Sequence, residues 1–501
     1  MKKGQIRIII IGFCLCAMSM QYAFGQQSTF RRNIFFGVEY NTEVIVDSLT
    51  FVFPLAEIFE LEDRQYVKNG QLRSFDRVIT PYDNLYYWSG APVIPSKNNF
   101  VNNRKRKINL DWNQQQPFKA FSYHGTDPIL HTPFQKIWSP VRNLEHAGYD
   151  KLGLSSRILF ATYMAATPFA LKDKKGFSGF IGGEYYGSWL IANSKRFGVS
   201  NLTLELGYKA NINQNAPDLG EAIGSNIVSN VTNGNSAPIV GDIFYTQGFF
   251  QNKVMVSFGR LTPWYFYGYN TFTDDELTRM ANNMMSGGTV MPEGGGNSTK
   301  PGMAFQLLLS EKFYANAVVT NPNGADSSFD FQFLNFDTHF AGAEFGFVYA
   351  AKNKLEGRIS AGVHHSLLRK NPNEASRSGF GYTFLVQQEL TPKGFSPYSG
   401  VYFQANYSDP NISSVTQQYV GGINIDHIFH RRNDGLGIGM GYSVSSNKAQ
   451  RNEFLMDMFY RLQLTEAGEL TADLQLFFNP ADKAQKNSVV PILALRYIFY
   501  L

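Results

Sequence analysis

The sequence predicts an all-β chain: a transmembrane antiparallel β-barrel of about 16 strands, preceded by an N-terminal extension. Three observations lead there. From about residue 155 to the end, segments of roughly ten residues alternate apolar and polar side chains, the period of a strand with one dry and one wet face. After residue 25 no apolar run reaches the roughly 18 residues that a membrane-crossing helix needs. The closing segment, "VVPILALRYIFYL", places Leu493, Leu495, Tyr497, Phe499 and Leu501 on one face and Ala494, Arg496, Ile498 and Tyr500 on the other. Such a strand at a chain end needs a partner to seal its edge, and closure into a barrel supplies one.

Taken in order, residues 1–25 have the basic start (Lys2, Lys3, Arg7), apolar middle and Ala23-Phe24-Gly25 ending of a secretory signal. Both cysteines, Cys14 and Cys16, fall inside it. They follow Phe13 and Leu15, not the small residue that precedes a lipid-bearing cysteine. The mature chain is therefore read as free of disulfides, thiol nucleophiles and cysteine metal ligands. The signal holds three of the 45 Lys and Arg residues and no acid, leaving 42 basic against 40 acidic groups. That balance excludes the basic excess of a nucleic-acid binder. Residues 26–140 form an extension whose role the sequence does not assign. It contains the short apolar runs "NIFFGVEY" and "TEVIVDSLTFVFPL", and a basic cluster, Arg104 to Lys107, read as a solvated loop.

Residues 141–501 are assigned to the barrel. Its strands are expected to start near residues 155, 178, 199, 240, 252, 302, 312, 340, 353, 378, 397, 416, 434, 451, 468 and 488. In "LEGRISAGVHHS", Leu355, Ile359, Ala361 and Val363 oppose Glu356, Arg358, Ser360 and His364. In "ELTADLQLFF", Leu470, Ala472, Leu474 and Leu476 oppose Glu469, Thr471, Asp473 and Gln475. "NLTLELGYK" and "LGIGMGYSV" alternate in the same way. Wet faces carrying charges suit a water-filled interior better than a dry sandwich core. If the last strand descends to the periplasm, turns such as "QN", "EK" and "TEAG" lie on that side, and the long connections 211–239, 261–301 and 321–339 lie on the other. This asymmetry is the one outer-membrane barrels show, and about 16 strands leave room for a channel.

The candidate solute path is the lumen-facing set Lys209, Glu205, Glu356, Arg358, Asp457, Arg461, Asp473, Gln475 and Arg496, with Glu184 and Glu344 beside them. Both signs of charge are present. Guanidinium forks and carboxylates together can donate to and accept from the hydroxyls of a neutral polyol; equally, they can brace the wall by pairing with one another. The connection 261–301 exceeds every other in length and is expected to fold inward and narrow the pore. Its aromatics Trp264, Tyr265, Phe266, Tyr267 and Tyr269 are read either as a constriction that stacks on sugar rings or as an aromatic girdle at the membrane interface, where the end of a strand belongs. Its "TDDEL" reads as an N-capped helical turn starting at Thr273, and Gly294 to Gly296 permit a tight return.

Several stretches resemble the carbohydrate-selective porins of the OprB type. They are "RRNDGLGIGMGYSVSS", with Arg431, Asp434 and Gly437; "EFLMDMFYRLQLTEAGELTADLQLFFNPAD", with Asp457, Tyr460, Arg461, Gln463, Asp473 and Gln475; and the closing "LALRY" with Arg496. "VRNLEHAGYDKLG" and "VMVSFGRL" are similar to that family's pre-barrel and fifth-strand segments, so the resemblance runs from about 141 to 501. Ala472 stands where the family commonly has proline, and Leu501 where it has an aromatic residue. The resemblance implies a sixteen-stranded outer-membrane porin through which small sugars diffuse, with outer-membrane lipids around it and no cofactor; a homo-oligomer is left open. No metal site is expected, since none of the eight histidines forms a ligand-spaced pair with an acid on a predicted helix. A plugged barrel that binds surface polysaccharide is the first alternative. A barrel lipid hydrolase is the second; His364 and Ser366 share the inward face two residues apart as its candidate base and nucleophile, with no orienting acid in view.

Overall fold

The computed structural model describes four strands within residues 41–75, Ile129 and Leu130, and residues 154–500 apart from 195–197, 213–217, 228, 230–236, 251–253, 271, 274–278, 286–299, 311–312, 323–337, 351–355, 369–374, 391–398, 427, 429–433 and 466–467. The signal segment, the basic cluster, "VRNLEHAGYDKLG", most of "TDDEL" and Gly294 to Gly296 lie outside the described residues. By contacts the chain divides into two units, Met1–Val78 and Ile79–Leu501.

In the first unit, β1 (Asn41–Val46), β2 (Leu49–Pro54), β3 (Arg64–Lys68) and β4 (Gln71–Phe75) form an antiparallel meander in sequence order. Val46 faces Leu49 and Lys68 faces Gln71 at the ends of the first and last pairings. The β-branched and aromatic runs "NTEVIV" and "LTFVFP" supply its first hairpin.

The second unit is a closed barrel of sixteen antiparallel strands. These are β5 (Leu154–Ala166), β6 (Phe177–Ser194), β7 (Gly198–Asn211), β8 (Ala237–Phe249), β9 (Val254–Leu261), β10 (Lys300–Leu308), β11 (Phe313–Thr320) and β12 (His339–Ala350), followed by β13 (Glu356–Leu368), β14 (Arg377–Glu389), β15 (Gly400–Ser408), β16 (Val415–Asp426), β17 (Gly435–Ser445), β18 (Glu453–Thr465), β19 (Gly468–Phe478) and β20 (Val489–Tyr500). Each strand pairs with its neighbour in sequence, and β20 returns to β5 with Leu493 opposite Ala166 and Tyr500 opposite Leu159. The terminal strand thus has no free edge. Closure satisfies every strand's backbone without a helix, as a hydrocarbon environment requires.

Alternation decides what faces where. On β20, Leu493 and Leu495 are exposed on the outer wall while Ala494, Arg496 and Ile498 are buried inside. On β13, Ile359 and Val363 point out, and Arg358, Ser360, His364 and Ser366 point in. The outer wall is banded with exposed apolar residues such as Phe305, Phe345, Phe384, Phe403 and Met440. Aromatic contacts gather near both rims: Phe313 with Phe345 and Phe347 at the short-turn end, and Tyr382 with Tyr407 and Phe454 with Phe478 toward the other. These are the girdle positions of a membrane barrel. The three longest connections, 212–236, 262–299 and 321–338, all leave the same end.

Candidate functional site: the barrel interior

The interior is occupied by the connection that follows β9. After a 3-10 turn at Pro263–Tyr265, the described part of this connection runs along the inner wall from β12 round to β19. Trp264, Phe266, Tyr267 and Tyr269 are buried in it and Tyr265 is partly buried. Phe266 and Tyr267 pack with Phe244, Ala304, Val318 and Phe340. The girdle reading of this cluster is therefore corrected: these rings lie against inward wall positions, because the chain turns into the lumen directly after β9.

Polar wall residues grip the backbone of the inserted chain. Glu344 on β12 accepts from Gly268 N–H at 2.7 Å with one oxygen and from Tyr314 OH at 2.7 Å with the other. Arg358 on β13 donates to the carbonyl of Tyr269 and, at 3.3 Å, to Gln387. The Tyr267 hydroxyl meets His364 Nδ1 at 3.1 Å. Farther round, Gln404 donates to Gly268 O at 3.2 Å, Asn424 to Phe272 O, and Gln418 to Met284 O at 2.5 Å. Asn282 donates its N–H to Asp457 and its side-chain amide to Gln475, both at 2.9 Å.

Apolar side chains of the same connection settle where the wall has no side chain. A Cβ on Gly362 would lie 2.6 Å from the Tyr267 ring, and one on Gly441 2.5 Å from Met284 Cε. At Gly362 a Cβ would meet a ring, whereas at Gly441 it would meet only the flexible end of a methionine.

A second connection, that between β7 and β8, packs inside the barrel against β18, β19 and the turn that follows β19. Its one-turn helix α1 (Leu219–Ala222) is capped by Asp218, which accepts from Glu221 N–H at 3.0 Å and from Ser229 OH at 3.1 Å. Burial nevertheless pushes the Asp218 carboxyl up to about 6, against the lowering effect of those bonds. Asn226 N–H donates to Glu453 at 3.0 Å, Asp482 N–H to Gly224 O at 2.8 Å, and Gln475 to Ser229 O at 3.2 Å. With Met280, Met284 and Met285, α1 and its flanks join an apolar core lining the inside of β5, the start of β6 (Phe180) and β15 to β20.

The sequence-predicted set divides in two. Arg358, Asp457, Arg461, Asp473, Gln475 and Arg496 are buried within the barrel. Asp473 accepts from Arg496 at 3.1 Å, with both side chains wholly buried. Glu184, Glu205 and Lys209, on β6 and β7, stay partly exposed on the wall away from the inserted chain. There Lys209 Nζ lies 5.7 Å from the centre of the Phe180 ring, which stacks on Tyr163 at 5.8 Å. The side chain of Glu356 is outside the described residues. His364 has the Tyr267 phenol, not a carboxylate, at Nδ1. Sequence reasoning missed the amides Gln404, Gln418 and Asn424 and the Asp218–Ser229 cap; inward amides on otherwise apolar strands were the available signal.

Residues 359–496 match the sequence model of the family described as carbohydrate-selective porin, OprB family. The match spans β13 to β20 and so includes β17 to β20, where the sequence resemblance is densest. The high-pH structure of Pseudomonas putida OprB is similar to this chain with a TM-score of 0.58 at 13% identity, over 73% of this chain and 97% of that one. The low-pH structure of the same protein gives a TM-score of 0.43 at 12% identity over 73% and 96%. A variant of the Rh. blastica porin gives 0.43 at 8% identity over 70% and 100%. At these identities the likeness to the first structure is one of fold. No curated protein matches the chain.

Proposed function

We propose that the chain is a carbohydrate-selective outer-membrane porin, a passive channel and not an enzyme, through which small sugars diffuse toward the periplasm. One coincidence carries the reading. The strands that match the carbohydrate-porin family, β13 to β20, include most of those that hold an inserted connection inside a closed sixteen-strand barrel. Most of the charged groups on that side are engaged with the insertion or with each other. We infer that the solute path follows the wall of β6 and β7, where the partly exposed Glu184, Glu205 and Lys209 carry groups of both signs that can exchange hydrogen bonds with sugar hydroxyls.

The test is swelling of proteoliposomes in isosmotic mono-, di- and trisaccharide. Rates should fall steeply with solute size, and Lys209→Ala should slow sugar entry. Vesicles that contain folded barrel and do not swell in any sugar would overturn the channel and leave a plugged polysaccharide binder.

A further inference from the structure

On the outer wall, at the rim carrying the long connections, β12 begins at His339 and β13 ends just past His365. Register sets His339 opposite Leu367 and Ala341 opposite His365, so the two histidines are diagonal cross-strand neighbours on one face, within reach of long side chains. His339 Nε2 and His365 Nδ1 are 3.0 Å apart. Both rings are partly exposed, and Phe380, 4.6 Å from the His365 ring centre, packs that ring in place. The adjacent His364 points the other way, to Tyr267 inside the barrel.

The geometry points to a binding site for a divalent transition-metal ion held by His339 Nε2 and His365 Nδ1. With metal–nitrogen bonds of about 2.0–2.1 Å, two ligand nitrogens lie about 2.9 Å apart at a right angle and about 3.3 Å apart at a tetrahedral one. The observed spacing fits cis positions on a tetragonal ion, the preference of Cu(II) and Ni(II), and Cu(II) stands highest in the usual affinity order. Without metal the same contact is one N–H···N hydrogen bond, which already holds the rings at the required separation. Small ring rotations then turn both lone pairs to the ion, and the donor ring changes to its other neutral tautomer, giving the shared proton to water and taking one from water at its remote nitrogen. Among the described residues no group of three His, Cys, Asp or Glu is placed to hold a metal. The remaining coordination positions therefore fall to water or to oxygens of the surrounding medium.

The test uses the full chain, folded in detergent, with one equivalent of Cu(II), read by electron paramagnetic resonance and electron spin-echo modulation. The wild type should show two equatorial imidazole nitrogens, and His339→Ala and His365→Ala should each reduce the count to one or abolish binding. Heat-modifiable migration on gels verifies the barrel in each variant; either variant alone decides if the other does not fold. A wild type with no two-imidazole signal, or a folded variant that keeps it, overturns the site and leaves an ordinary hydrogen bond.

Discussion

Gln475 is the side chain on which both inserted connections converge: its oxygen accepts from Asn282 and its nitrogen donates to Ser229 O. Replacing it with leucine orphans a buried donor and a buried acceptor, at about 1–3 kcal/mol each. Gln475→Leu should therefore make residues 212–236 and 262–299 more susceptible to limited proteolysis while the barrel keeps its heat-modifiable migration. Equal cleavage of mutant and wild type would place the grip elsewhere. Asp218 adds a pH dependence. Its folded value, about 6, lies above the model-peptide value of 3.8, so the folded state binds more protons and is favoured at low pH. The stability of the α1 connection should fall as pH rises through about 4 to 6 and then level off. Hydrogen exchange of residues 218–229 at pH 4.5 and 7.5 reads this, and Asp218→Asn, which keeps an acceptor, should flatten it. Alternation made Arg496, Asp473 and Gln475 legible as inward residues. Their partners were not legible, because Asn282 and Ser229 come from connections with no period to read, 193 and 246 residues away from Gln475.

Among the elements, strands were read to within a few residues of where they begin, because a two-residue period with one lipid face and one inner face tolerates no slip. Their inward glycines were read only as spacing, whereas they are sockets. Gly362 and Gly342 lie under the Tyr267 ring, Gly400 under Phe272 and Gly441 under Met284. A methionine end can bend away, but a ring held by a hydrogen bond to His364 cannot move so cheaply. Gly362→Val should displace Tyr267 and alter single-channel conductance, while Ala361→Val, one residue away on the outer wall, should not. The histidine pair was missed for a related reason. A search for ligand spacing along one helix does not see two residues that only strand register brings together.

At the scale of the whole molecule, the fold follows from one constraint applied sixteen times: each strand shows an apolar face outside and turns its other face, polar or packed, to the interior, and closure leaves no edge. An arginine such as Arg496 moved to the lipid face would cost about 2–4 kcal/mol near the midplane, so the register is not negotiable. What was not legible is how much of the interior the connections fill, since that depends on long-range contacts instead of period. It also decides what passes. The inserted chain covers the wall from β12 to β19 and is held mainly by amides and charges that water can solvate once it is gone. Deleting residues 270–298 exposes Gln418, Asn424, Asp457 and Gln475 to the lumen, where their lost partners are replaced by water. The barrel itself, paired strand to strand from β5 round to β20, loses no ladder hydrogen bond. The deletion variant should insert, conduct more per channel and admit oligosaccharides larger than the intact chain does. Planar-bilayer conductance and liposome swelling read the two effects separately. If the variant inserts with unchanged conductance and size cutoff, the narrowest point lies elsewhere, and the wall of β6 and β7 is where to look for it.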